Sequence, residues 1–323
     1  MSGYTHSEPF DIGLLPVGTL HRVYYEQYGR KDGKPVIFLH GGPGGCTSRK
    51  NTTYFDPAIY RVILLDQRGT GKSKPATELR ENSTPDLVSD IEELRQHLSI
   101  SKWHLIFGGS WGTTLALLYS QAYPQFVGSL ILRGIFTASK SEVAWSRGPL
   151  GAANIFPEEW DAFQRYLPEY ERHDMTAAYY KRLTSDDHTT KIAAAKEWNR
   201  WDLSIGELRI DEGGFKQLDD DAWSLAHALM EAHYSAHCFW LEDRQILKPE
   251  NLAKIRHIPV TIIQGRYDMV CPPQTAWELH RSLPKSRLIW IPDAGHSARE
   301  PGTRLELIRA CDENAVQDFD TRI

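Results

Sequence analysis

The stretch HLIFGGSWGTTLALLYSQAYP, residues 104–124, admits few folds. An apolar run that begins at Trp103 ends in Gly108-Gly109, and a helical pattern starts almost at once, with no linker between them. A chain that passes from strand to helix so abruptly must lay the helix back over the strand, which is the local step of a βαβ crossover. Short, wholly apolar runs also occur at PVIFLH (35–40) and RVILLD (61–66), each bounded by turn residues. Such runs suit parallel strands covered on both faces. HRVYYEQYG (21–29) reads as an early antiparallel strand and VGSLILRGI (127–135) as a further strand. TPDLVSDIEELRQHLSI (84–100) reads as an amphipathic helix, with Thr84 as its cap and Pro85 in its first turn.

The pattern changes after this point. From 137 to 245 no segment reads as a strand, whereas FPEEWDAFQRYL, MTAAYYKRLT, TTKIAAAKEWNRW and AWSLAHALMEAHYSAHCFW all read as helices. IPVTIIQG (258–265) and SRLIWIP (286–292) restore the strand pattern, and a helix is expected near 303–318. The expectation is a single α/β domain, built from 1–136 and 246–323 around a mostly parallel sheet with helices on both faces. A helical cap, 137–245, interrupts it.

Composition excludes several functions. A net charge of −5 with no basic run gives no electrostatic footprint for nucleic acid. No run of 18 apolar residues is present to span a membrane, and MSGYTHSEPFDIG lacks the charged and apolar regions of a secretory leader. Cys46, Cys238, Cys271 and Cys311 are scattered without C-x-x-C spacing, so neither a disulfide framework nor a zinc site is expected. These features imply a soluble protein of a reducing compartment, the cytoplasm.

Gly108-Gly109-Ser110-Trp111-Gly112 fits G-x-S-x-G between a strand and a helix, where a tight turn lifts a serine above the sheet. An activated serine needs a base and the base needs an orienting acid, in the chain order serine, acid, histidine. Asp268 in QGRYDMVCP and His296 in PDAGHSARE each follow a late strand and fill those roles. HGGPGG (40–45) follows an early strand directly, so the N–H groups of Gly42 and Trp111 are the candidate oxyanion donors. GTGKSKP (69–75) is not a phosphate-binding loop, because the position five before Gly71 is Asp66 rather than glycine. DQRGTGKS reads instead as a glycine-rich turn near the sheet edge.

With these residues in place, the chain resembles the proline iminopeptidases, a branch of the α/β hydrolases. The likeness is carried by HGGPGG, LLDQRGTGKS, GGSWGTTLALLYSQAYP, LRGIF, HIPVTIIQGRYDMVCP and PDAGHS, which cover both halves of the sheet domain. The resemblance implies removal of an N-terminal proline from a short peptide by the triad Ser110, Asp268 and His296, without a metal or a cofactor. It further implies Glu231 as one carboxylate for the substrate's free amine, with Phe136 and Cys271 lining the proline pocket. The second amine carboxylate, a glutamate after tryptophan in the family, is here Asp202 after Trp201, and Ser146 stands where a tyrosine is expected. Other readings of the same residues are a carboxylesterase or a broader aminopeptidase; a non-catalytic binding protein would be expected to lack a triad member.

Overall fold

The computed structural model describes residues 3–210 and 213–319. Its sheet contains β1 (Asp11–Val17), β2 (His21–Gly29), β3 (Lys34–Leu39), β4 (Tyr60–Asp66), β5 (Leu105–Gly109), β6 (Leu130–Arg133), β7 (Val260–Gly265) and β8 (Ser286–Ile291). The spatial order is β1-β2-β4-β3-β5-β6-β7-β8. β2 pairs antiparallel with β1 and β4, and every other neighbouring pair is parallel. This is the α/β hydrolase architecture expected from the strand–helix alternation. β1 went unread because its apolar residues alternate on an exposed edge: Ile12 and Leu14 both face solvent.

Among the described residues, five helices pack on the sheet. α1 (Thr84–His97) and α2 (Trp111–Ala122) lie in its first half. The helices that follow β6 in the chain are α3 (Lys140–Arg147), α4 (Pro157–Arg165), α5 (Met175–Leu183), α6 (His188–Ile205) and α7 (Asp221–Ala236). Then come α8 (Pro249–Ile255), α9 (Pro273–Ser282) and α10 (Pro301–Ala315). Alternation along the strands explains the two faces. Ile37 and Leu39 join Ile63, Leu65 and Ile106 in a core with α1, α2, α8 and α9. Val36 and Phe38 join Val62, Leu64 and Phe107 in a second core against α10. The segment between β6 and β7 carries an aromatic cluster of its own, including Trp160, Phe163, Tyr179, Trp198 and Trp201.

Two local readings are corrected. The cap of α1 is Ser83, whose N–H is received by the Asp86 carboxylate at 3.0 Å. Thr84 lies inside the helix, and its hydroxyl donates to the Phe239 carbonyl at 2.6 Å. The DQRG turn leaves β4, which is an interior strand. Asp66 receives the N–H groups of Thr47 and Lys72, at 2.7 and 2.8 Å, and so ties the turn to the loop after β3. Arg68 adds a buried two-pronged bond to Asp90 at 2.7 and 2.6 Å, pinning the turn to α1.

Candidate active site

Ser110 stands between β5 and α2 with φ 57° and ψ −124°, a conformation that L-residues rarely adopt. Holding such a backbone costs on the order of 1–3 kcal/mol, and the surroundings must enforce it. They do so by crowding. A Cβ on Gly112 would lie 2.1 Å from the Leu39 carbonyl oxygen, and one on Gly108 would lie 2.4 Å from the Gly112 carbonyl oxygen. Only glycines let β5, α2 and the end of β3 approach so closely. The Ser110 N–H is held by the Arg133 carbonyl at 2.8 Å, which fastens the turn to the end of β6.

Asp268 and His296 meet at the C-terminal ends of β7 and β8, with Asp268 Oδ2 2.8 Å from His296 Nδ1. Asp268 is fully buried. Its two oxygens are saturated: Oδ2 also accepts from Gln264 Nε2 at 2.9 Å, and Oδ1 accepts from the N–H groups of Val270 and Cys271 at 3.1 and 2.8 Å. Hydrogen-bond chemistry fixes the histidine tautomer. A carboxylate can only accept, so Nδ1 carries the proton, and Nε2 accepts from the Arg133 guanidinium at 3.1 Å. Arg133 also donates to the His296 carbonyl at 2.9 Å. In this arrangement the basic nitrogen of His296 is occupied by Arg133. Cys271 lines the same cavity as Ser110. Burial pushes the Cys271 thiol well up, so it stays protonated.

The loop after β3 borders Ser110. Gly42 has φ +114°, which favours glycine, and a Cβ on Gly41 would lie 3.2 Å from Ser110 Cβ. Trp111 is the first residue of α2, so its N–H lacks an acceptor within the helix. The Trp111 ring is turned away into the core: Nε1 donates to Gln67 Oε1 at 2.8 Å, and Gln67 Nε2 donates to the His40 carbonyl at 3.0 Å. One glutamine thus joins the serine turn to the glycine loop.

A cavity of about 260 Å³ opens over Ser110 and His296. Its walls include Gly42, Phe136, Cys271, Asp202 and Glu231, so the structure brings together the side chains that the sequence pointed to from both halves of the chain. Ser146 lines it as well. Tyr234, three residues after Glu231, instead packs on Trp111 at 5.1 Å between ring centres. Glu231 Oε2 accepts from Trp198 Nε1 at 2.6 Å and from Arg147 at 3.1 Å. Asp202 is not free: Arg147 bonds both of its oxygens. Burial alone would raise Asp202, but the charge and hydrogen bonds of Arg147 hold it below the ordinary value. Burial first, and the Asp202 charge second, push Glu231 well above the carboxylate range. Asp202, His227 and Glu231 bring ligand-type atoms within 4.8 Å of one another, yet Arg147 already supplies a cation to both carboxylates. Arg133, Arg147, Gln67 and Gln264 were not singled out from the sequence. Arg133 lay inside the noted LRGIF segment, and the position of Arg147 at a helix end beside two tryptophan-bearing helices gave no periodic signal.

A strained serine at a strand–helix turn, an Asp–His pair on later strands and a mostly parallel sheet define an α/β hydrolase, and a family model described as alpha/beta hydrolase fold matches residues 34–302. The chain is 49% identical over 321 residues to a probable proline iminopeptidase of Leptolyngbya boryana, with 99% of each chain covered. It is 49% identical over 309 residues to a proline iminopeptidase of Arabidopsis thaliana, covering 95% of this chain and 80% of that one. Within the α/β hydrolases, the chain belongs to the proline iminopeptidase family. Solved structures share its fold: a proline iminopeptidase from Mycobacterium smegmatis matches with a TM-score of 0.63 at 19% identity, covering 95% of this chain and 99% of that one. An esterase from Exiguobacterium antarcticum matches with a TM-score of 0.62 at 21% identity, covering 92% of this chain and 96% of that one.

Proposed function

We propose that this protein is a serine aminopeptidase that releases an N-terminal proline from short peptides. The observation that carries this reading is the content of one cavity, whose wall holds Ser110 and His296 together with the Glu231 carboxylate. A prolyl ammonium entering a partly dry pocket needs a negative partner, or its lost hydration is not offset. Phe136 and Cys271 supply apolar wall for the pyrrolidine ring. The names of the relatives, at 49% identity, point to the same substrate.

The reaction is acyl transfer. Arg133 leaves His296 Nε2, and the Ser110 hydroxyl takes its place at that nitrogen. Oγ then attacks the prolyl carbonyl carbon as its proton passes to Nε2, while Asp268 holds Nδ1–H and stabilises the imidazolium. The N–H groups of Gly42 and Trp111 receive the oxyanion, each contributing roughly 10²–10³ in rate. The carbon–nitrogen bond breaks, the Nε2 proton goes to the departing amine, and the shortened peptide leaves. Water attacks the prolyl ester with His296 again as base, and Oγ regains its proton as proline departs. In this reading 137–245 is a cap that carries the amine-binding groups over the catalytic domain of 1–136 and 246–323. The four free cysteines are in keeping with work in the cytoplasm, on peptide products. No helix among the described residues is long and apolar enough to cross a membrane.

The test is a matched set of chromogenic amides: proline, alanine and leucine with free amines, N-acetylproline, and a butyrate ester. Cleavage of free proline amide, lost on acetylation and reduced by about 10³-fold or more in Ser110→Ala, is expected. Ester cleavage with no preference for a free amine would leave the nucleophile standing and overturn the substrate.

A further inference from the structure

The charge arithmetic of the cavity is unusual for a site that must hold a cation. Two carboxylates, Asp202 and Glu231, line it together with two guanidinium groups: Arg133, which is engaged by His296, and Arg147, the last residue of α3. The two carboxylates are not equivalent. Arg147 grips Asp202 with two nitrogens, one on each oxygen, the Nη2–Oδ2 distance being 2.9 Å. It reaches Glu231 with only one of those nitrogens, at 3.1 Å to Oε2. The parallel two-pronged bond is the stronger geometry for guanidinium and carboxylate. Trp198 reinforces the asymmetry, because the Arg147 guanidinium lies 4.3 Å over its ring while its Nε1 holds Glu231 Oε2 at 2.6 Å. The indole thus orients the arginine toward Asp202 and presents the other Glu231 oxygen, which lies 3.9 Å from His227 Nε2. The side chains of Arg147, Asp202 and Glu231 are only 11, 16 and 12% exposed, so water does little to screen their charges.

We propose that Arg147 is the built-in counter-ion of Asp202 and a specificity-determining residue: it cancels that carboxylate, so that Glu231 alone receives the substrate's amine. The occupied amine end of the cavity is then electrically balanced, with one carboxylate for one ammonium beside one closed ion pair. Asp202 contributes to affinity by holding Arg147, and does not touch the amine. Two open carboxylates would leave an unmatched buried charge once a singly charged amine had bound. This inference rests on the aminopeptidase reading and names how its amine site is tuned.

The experiment is a charge cycle of wild type, Asp202→Asn, Arg147→Gln and the double variant, with KM and kcat measured separately on free proline amide. Asp202→Asn leaves Arg147 uncompensated beside the ammonium, and KM should rise by about 30-fold or more. Removing Arg147 as well restores the balance, so the double variant should return to within about threefold of the wild-type KM. If Asp202 itself grips the amine, the double variant stays as weak as Asp202→Asn, and the inference is overturned. Circular dichroism and a thermal melt establish that each variant is folded. Should Asp202→Asn fail to fold, Arg147→Gln decides alone: freeing Asp202 lowers KM by about threefold or more, whereas an unchanged or higher KM overturns the proposal. A wild type that leaves proline amide uncut removes the aminopeptidase reading and this inference with it. A wild type that cuts it, with a cycle that does not close, removes the inference only.

Discussion

Glu231 is a carboxyl group whose usefulness depends on losing a proton that its surroundings tend to keep. Burial raises it, Asp202 raises it further, and Arg147 pulls the other way; His227, 3.9 Å away, is itself held down to about 4 by burial and so is neutral near pH 7. A raised carboxyl is neutral over more of the acid range, and a neutral Glu231 cannot pair with an ammonium. For free proline amide, kcat/KM should therefore climb with pH as Glu231 ionises. Glu231→Gln removes that titration, so its weaker activity should show an acid limb displaced from the wild-type position. An acid limb of kcat/KM that stays in place in Glu231→Gln would refute this assignment. Gly134 makes a second prediction at the same scale. It has φ +61°, and a Cβ there would lie 2.8 Å from His296 Cε1 and 3.0 Å from Nδ1. Gly134→Ala must displace the imidazole or the backbone after β6, and misplacement of about 1 Å can cost on the order of 100-fold in rate. We expect kcat to fall by about that factor, with most of the change in kcat rather than KM. Unaltered steady-state kinetics would show that the loop yields without moving His296.

At the scale of elements, the site is assembled by strand ends, and this is why so much of it was legible. Ser110, Asp268 and His296 sit just beyond β5, β7 and β8, and strand ends can be read from short apolar runs that stop at glycine or a turn. The serine turn was legible for a related reason: the glycines at 108 and 112 are required by contacts of 2.4 and 2.1 Å, so the motif is a trace of the packing itself. What was not legible followed from partners distant in the chain. Ser146 stands out only because the resemblance leads to a tyrosine there, whereas its neighbour Arg147 crosses to α6 and α7 to bond Asp202 and Glu231. Nothing in the periodicity of α3 announces a contact 55 or 84 residues away. Arg133 was similarly hidden, because its role comes from the meeting of β6 with the loop after β8. β1 was missed on physical grounds of another kind, since an exposed edge strand lacks the buried face that gives strands their signature.

Across the whole molecule, a set of histidines is built in as neutral rings, and this couples folding to pH. Burial is the main cause that holds His104, His227 and His233 each down to about 4. The contacts suit the neutral form. His233 Nε2 faces the Asn82 carbonyl at 3.2 Å, and so donates, while its Nδ1 lies 3.1 Å from the Tyr180 hydroxyl and can accept. That ring links α7 and α5 to the loop before α1, so its protonation strains the joint between the inserted helices and the sheet. The sign follows from linkage: these groups bind protons less readily folded than unfolded, where they titrate near 6.5. Their contribution to stability is present above pH 6.5 and is lost as the pH falls toward about 4. At pH 5 each would have given up on the order of 1–2 kcal/mol. Urea unfolding at pH 7, 6 and 5 should show midpoints that fall with pH. His233→Gln, which cannot take up a proton, should start lower at pH 7 but lose less between pH 7 and 5 than the wild type. Parallel losses in the two proteins would mean that His233 does not contribute to the pH dependence, and that the joint it occupies is held by other contacts.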